Sequence, residues 1–215
     1  MASATLLLPS RTRLAGGALP DDVARALGRA EQQQAAAGMQ AQLERQFQLV
    51  PDGPWPVAAL TRQRDAGDAQ GALWLRVDPA SIVPDMQGAR LMAHGDALQL
   101  EARDAAELLP ALRPLFGDAG LLLDAPHPSR WYLRLPAGSP LPVFTDPDIA
   151  LGDDVFDHLP LGAEGRRWRA LFTEAQIVLH QHPWNQQRAA DGKRAVNALW
   201  FWGGGQSPSA VSTAF

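Results

Sequence analysis

The sequence predicts a mixed α/β (α+β) protein, a mixed sheet flanked by helices with a helical extension at the N-terminus. Three observations predict it. Apolar residues recur at helical spacing in some segments, alternate with a period of two in others, and Pro- and Gly-rich breaks separate the two kinds. With 215 residues, 46% of them hydrophobic and 20% charged, the chain can bury a sizeable core and is too apolar for global disorder.

Thr5 to Leu8, closed by Pro9, reads as a short buried strand, after which Gly16 and Gly17 break the chain. Asp21 and Asp22 open a helix expected to reach about Ala37, because acidic residues favour a helix start and Val23, Leu27 and Ala30 recur at helical spacing. Its Gln- and Ala-rich end, Glu31 to Ala37, reads as exposed helix surface. Met39, Leu43 and Phe47 mark a second helix, followed by a turn-rich break at Pro51, Gly53, Pro54 and Pro56. Val57 to Leu60 adds a helical turn. Leu73, Leu75 and Val77 then alternate with Trp74, Arg76 and Asp78, the pattern of a strand ended by Pro79.

A strand at Ala89 to Ala93 precedes a helix from about Asp104 to Phe116. Ala105, Leu108, Leu109, Leu112 and Phe116 form its apolar side, and Pro110 and Pro114 are placed to shorten or kink it. Leu121 to Leu123 and Trp131 to Leu135 are two further strands, separated by a turn-rich Ala125 to Ser129. Pro136 to Pro160, rich in Pro, Gly and Asp, reads as a long surface connection. The expected organisation is an N-terminal strand and helical extension over residues 1–54 and one domain over 55–215.

A net charge of −4 and a pI near 5.7 provide no basic field for duplex nucleic acid or an anionic membrane surface. The seven tryptophans lie mostly in apolar periodic runs, where they read as core rather than as stacking platforms for a single strand. The absence of cysteine excludes a disulfide framework, a thiolate nucleophile and Cys-ligated zinc or iron–sulfur sites. Leu6 to Leu8 is too short for a secretory core, and no stretch approaches the roughly 20 apolar residues of a membrane span. The expected location is the cytoplasm.

Most of the chemical signal lies between Trp168 and Gly205. Trp168, Leu171, Phe172, Ala175, Val178 and Leu179 share one side of a helix, which Pro183 ends. After a loop through Asp191 and Gly192, Ala195 to Trp202 is apolar on both faces except at Asn197, as in a strand covered on both sides. Gly203, Gly204 and Gly205 follow, either as a plain turn or as a ligand loop at the carboxyl end of that strand. His180 and His182, two positions apart, point in opposing directions on a helix and do not share a metal there.

The stretch HPWNQQRAADGKRAVNALWFWGGG, His182 to Gly205, resembles a segment of the archaeal-type cofactor-independent phosphoglycerate mutases of the alkaline phosphatase superfamily. The chain from about Trp55 to Phe215 resembles more closely the RpfE-type regulatory proteins of xanthomonads and related proteobacteria. The matching pieces are WPVAALTRQRDAGD, WLRVDP, PDMQGARL, LFGDAGLLLDAPHPSRWYLRLP, RRWRALFTEAQIVLHQHPWN and VNALWFWGGG. The resemblance implies a partial phosphomutase-like scaffold, C-terminally truncated.

In the mutases a Ser nucleophile acts with two divalent metals held by Asp and His, roughly 3.5–4 Å apart in two-metal chemistry. Asp52 and Gly53 spell the start of such a motif but sit between Pro51 and Pro54, and Asp157 with His158 lies in a Pro-bounded loop. The sequence therefore assigns no catalytic residue, no metal ligand and no cofactor. Asn185, Arg188, Asn197, Gly203 and Gly204 are the candidate ligand-binding residues, because Arg and backbone N–H groups suit a phosphorylated acid. The expected function is a non-catalytic regulatory or interaction protein of the RpfE type, with an unidentified protein or small-molecule partner. The alternative is a metal-dependent phosphomutase or phosphatase-like enzyme acting on a small phosphorylated acid.

Overall fold

A computed structural model describes residues 19–31, 38–86 and 88–213, so the strand expected at Thr5 to Leu8 and most of the Gln/Ala tract lie outside the described residues. The chain divides into two compact units, one made of residues 1–53 and 210–215 and the other of residues 54–209.

In the first unit, α1 (Asp21–Arg29) stops short of the expected Ala37, where Ala30 turns extended. Gly28 weakens its last turn, and none of its residues is buried to reinforce it. Helix α2 (Met39–Gln46) ends one residue before Phe47, which enters β1 (Phe47–Val50) rather than the helix. β1 pairs antiparallel with β7 (Ala210–Thr213). Phe47 and Leu49 flank Gln48, a period of two that is masked by the helical spacing of Met39, Leu43 and Phe47.

The second unit is built on β2 (Leu73–Asp85), which continues through Pro79 rather than ending at it. On one edge β2 pairs first with β5 (Arg130–Leu135) over Leu73 to Arg76, then with β3 (Gly88–His94) over Ala80 to Asp85. Ala80 gives its carbonyl to Asn197 on the β6 side, so the neighbouring Pro79 faces the other edge, in the gap between β5 and β3. No ladder bond is required there, which is why a central strand accepts a proline. β6 (Ala198–Gln206) covers the opposite edge, and β4 (Leu122–His127) pairs with β5 to complete five strands in the order β3-β2-β5-β4 with β6 on β2. The expected mixed sheet is instead antiparallel at every strand pairing; one isolated parallel bridge joins Leu91 to Leu151.

Strand alternation sends Leu73, Leu75 and Val77 into the main core. There they join Leu108, Leu112 and Phe116 of α4 (Ala102–Asp118) and Trp168, Leu171, Phe172, Ala175 and Leu179 of α6 (Gly162–His180). Pro110 and Pro114 do not break α4. Both lie on its exposed side, where the carbonyls of Ala106 and Pro110 that lose a donor face water. Trp74 points the other way, into a smaller cluster with Tyr132 and with Ala58 and Ala59 of α3 (Val57–Ala66), a full helix where one turn was expected.

The Pro136 to Pro160 connection is more ordered than its composition suggests. It holds α5 (Pro147–Ala150) and a short 3-10 turn at Val155–His158, and plugs Ala150 and Val155 into the main core. Leu91 of β3 exchanges backbone hydrogen bonds with Gly152 and Asp153, and His94 contacts Asp148 at 3.1 Å.

Candidate functional site

The residues singled out by sequence occupy three neighbourhoods. A helix missed by sequence, α7 (Trp184–Ala190), carries Asn185 and Arg188. Asn185 donates from Nδ2 to the carbonyls of Leu179 at 2.8 Å and Val196 at 2.9 Å, and its Oδ1 accepts from the Val196 amide at 2.8 Å. It thereby ties the end of α6 to the chain entering β6. Arg188 is 1% exposed and donates to Asp104 Oδ1 at 2.7 Å, to the Leu98 carbonyl at 2.7 Å and to the Arg194 carbonyl at 2.9 Å. Trp184 adds its indole N–H to the same Asp104 oxygen at 2.8 Å.

Asn197 lies elsewhere, where it reproduces a strand pairing with its side chain. Its Nδ2 donates to the Ile82 carbonyl and its Oδ1 accepts from the Ile82 amide, both at 2.8 Å. Gly203 and Gly204 form neither a turn nor a loop; they continue β6. Gly203 has φ +62 and a Cβ there would lie 2.8 Å from Val57 Cβ, while one at Gly204 would lie 2.6 Å from Leu141. These glycines permit close approach of α3 and the 141 segment to the sheet. Because the sheet is antiparallel, the ligand-binding rule for strand ends of open parallel sheets does not carry over to this segment of β6.

A polar constellation that the sequence reading missed lies between α3 and the sheet. Arg76 and Asp78, two apart on β2 and so on one face, form a buried two-point pair, Nε to Oδ1 at 2.8 Å and Nη2 to Oδ2 at 2.6 Å. Asp78, 1% exposed, also accepts from Trp202 Nε1 at 2.7 Å and from the Trp131 amide at 3.3 Å. Arg62 on α3 grips Asp68 at 2.5 and 2.7 Å and also bonds Asp124. Arg130 holds Asp65 of α3 through two bonds of 2.7 Å, and Tyr132 donates its hydroxyl to the same carboxylate at 2.5 Å.

Aromatic rings separate the guanidinium groups. Arg62 lies 4.5 Å from the Trp74 ring and 5.6 Å from Tyr132, and Arg76 lies 5.5 Å from Tyr132 and 5.2 Å from Trp202. Each charge is thus desolvated against a π face while its N–H groups point at a carboxylate. The pieces TRQRDAGD, WLRVDP, SRWYLRLP and WFWGGG, scattered over 145 residues counted inclusively from Thr61 to Gly205, meet at this face. The available signal was the pairing of Arg76 with Asp78 on the supposedly polar side of β2, a side that reads as solvated until α3 is known to cover it.

The electrostatics follow from these contacts. Burial pushes the Asp65 carboxyl up, but hydrogen bonds from Arg130 and Tyr132 outweigh it and leave the group below the ordinary carboxylate range. Asp104 behaves likewise: burial raises it, and the Glu101 amide, Trp184 and Arg188 together bring it below. Burial together with the Asp65 carboxylate pushes the Tyr132 hydroxyl up to about 12. Among the described residues, no three His, Asp or Glu side chains come together as a metal cluster, and no helix is long and apolar enough to cross a membrane. His180 is exposed and His182 accepts the Trp184 amide at 3.2 Å through Nδ1.

No family model matches the chain. Over 163 residues it is 26% identical to a probable 2,3-bisphosphoglycerate-independent phosphoglycerate mutase of Geobacter sulfurreducens, an alignment covering 74% of this chain. Over 64 residues it is 36% identical to the 2,3-bisphosphoglycerate-independent phosphoglycerate mutase of Methanosarcina acetivorans, 30% of this chain and 16% of that one. The chain is a distant relative of the cofactor-independent phosphoglycerate mutases. It spans 39% of the length of the Geobacter mutase. The cofactor-independent phosphoglycerate mutase of Thermoplasma acidophilum superposes with a TM-score of 0.48 at 20% identity, over 65% of this chain and 38% of that one.

Proposed function

We propose that this mutase relative is a non-catalytic regulatory or interaction protein of the RpfE type. The observation that supports the reading is the state of its motif side chains. Arg62, Arg76 and Arg130 are each paired with a carboxylate, and Arg188 and Asp104 are paired with each other. Groups committed to one another in this way maintain a scaffold; a phosphoryl site needs cations directed at the transferring group. Purified protein supplied with manganese is expected to leave 2-phosphoglycerate, 3-phosphoglycerate and p-nitrophenyl phosphate unchanged over a protein-free blank. Metal-dependent turnover of any of them that co-purifies with the chain overturns the proposal.

The sequence relation to the mutases favours a second reading, a metal-dependent phosphomutase or phosphatase-like enzyme acting on a small phosphorylated acid. In that reading Asn185, Arg188, Asn197 and the Gly203–Gly204 backbone bind the substrate. Calorimetric titration with 3-phosphoglycerate tests it: saturable heat that disappears in Asn197→Ala, with the fold intact by circular dichroism, would favour the enzyme over the regulator.

A further inference from the structure

The sequence contains two Asp-Gly pairs, Asp52–Gly53 and Asp191–Gly192. In this dipeptide the backbone nitrogen approaches the preceding side-chain carboxyl most freely, because glycine has no Cβ to obstruct it. Both pairs are exposed, so access to water does not separate them. What separates them is where the glycine amide points.

At the end of α7 the Gly192 amide donates to the Ala189 carbonyl at 3.1 Å, and Asp191 Oδ1 accepts from Gln187 Nε2 at 3.1 Å. Nitrogen and carboxylate are each held by a different partner, with Gly192 fixed at φ +71. At the other pair, the Gly53 amide faces the Asp52 carboxylate itself, 3.0 Å from Oδ1. Pro51 to Pro54 are all exposed and belong to no helix or strand, so no helical or ladder bond holds the Gly53 amide away from the Asp52 side chain.

We infer that Asp52–Gly53 is a modification site at which Asp52 isomerises spontaneously to isoaspartate, while Asp191–Gly192 is protected by its fold. The Gly53 nitrogen attacks Cγ of the protonated Asp52 carboxyl, forming a C–N bond. The amide proton and the carboxyl hydroxyl leave as one water, giving a five-membered imide. Water then adds at either imide carbonyl. One opening restores Asp52; the other leaves the chain running through the former side chain, with one added backbone methylene and the carboxylate on Cα. Nothing is oxidised or reduced, and the mass is unchanged. The site immediately precedes Pro54, the first residue of the larger compact unit.

The test is prolonged incubation of the intact protein at 37 °C in mildly acidic buffer, followed by peptide mapping with isoaspartate-specific detection. Isoaspartate is expected at position 52 in at least tenfold excess over position 191. Gly53→Ala, whose Cβ meets nothing within 4 Å, is expected to slow the conversion about tenfold without disturbing the fold. In urea-unfolded protein the two sites should converge to similar rates. Equal accumulation at the two sites in the folded protein, an unchanged tenfold bias in urea, or no isoaspartate at position 52 overturns the inference.

Discussion

On one face of β2, Leu73, Leu75 and Val77 share a hydrocarbon core with α4 and α6; on the other, Trp74, Arg76 and Asp78 meet guanidinium, carboxylate and indole groups beneath α3. The two faces bury their residues to similar extents, yet they differ in how they tolerate loss. Hydrocarbon packing degrades in proportion to the volume removed. A closed set of buried charges does not, because removing one partner leaves the other unpaired in a medium that cannot solvate it.

The largest effect is therefore expected from Asp78→Ala. It strands Arg76 and takes the acceptor from Trp202 and Trp131, and it should cost about 3–5 kcal/mol in urea unfolding. Leu75→Ala, fully buried on the opposite face, should cost about 2–5 kcal/mol through lost transfer energy and a cavity. A markedly larger loss from Leu75→Ala than from Asp78→Ala would break the comparison, since it would make the ion-pair face the more tolerant one.

Titration sharpens the same contrast. A raised tyrosine pKa gives stability that is complete below the unfolded value of 10.0 and is lost as pH rises towards about 12, the folded value of Tyr132. Melting temperature should thus fall across that window, and Tyr132→Phe should flatten the fall. Asp65 and Asp104 have the opposite sign: depressed below 3.8, they stabilise above that value and cease to as pH falls through their folded values. Leu75→Ala should leave both arms of the profile in place. The smallest effect belongs to neither face: Val143→Ser, at a position 92% exposed, should shift stability by less than about 0.5 kcal/mol.

The hydrocarbon face was legible in the sequence and the charged face was not. Helical spacing from Trp168 to Leu179 and the alternation of Leu73, Leu75 and Val77 are local patterns, and the structure places these residues in one core. Arg62, Asp65 and Asp68 belong to one helix and its end, but their partners Asp124, Arg130 and Tyr132 come from the β4–β5 hairpin, over 50 residues away. No local period encodes that meeting. For the same reason Asn185, Arg188 and Asn197 stood out by residue type, while their main-chain partners at Leu179, Leu98 and Ile82 left no mark in the sequence. Pro79 misled because proline ends a strand only where its nitrogen faces a partner, a fact of topology.

That gap beside Pro79 makes β2 a shared axle, with β6 along one side and β5 and β3 end to end along the other. Its amides from Trp74 to Arg76, enclosed by strands on both sides, have no local route to solvent. In deuterium they should exchange among the last, because letting water reach any of them means separating β5 or β6 from β2.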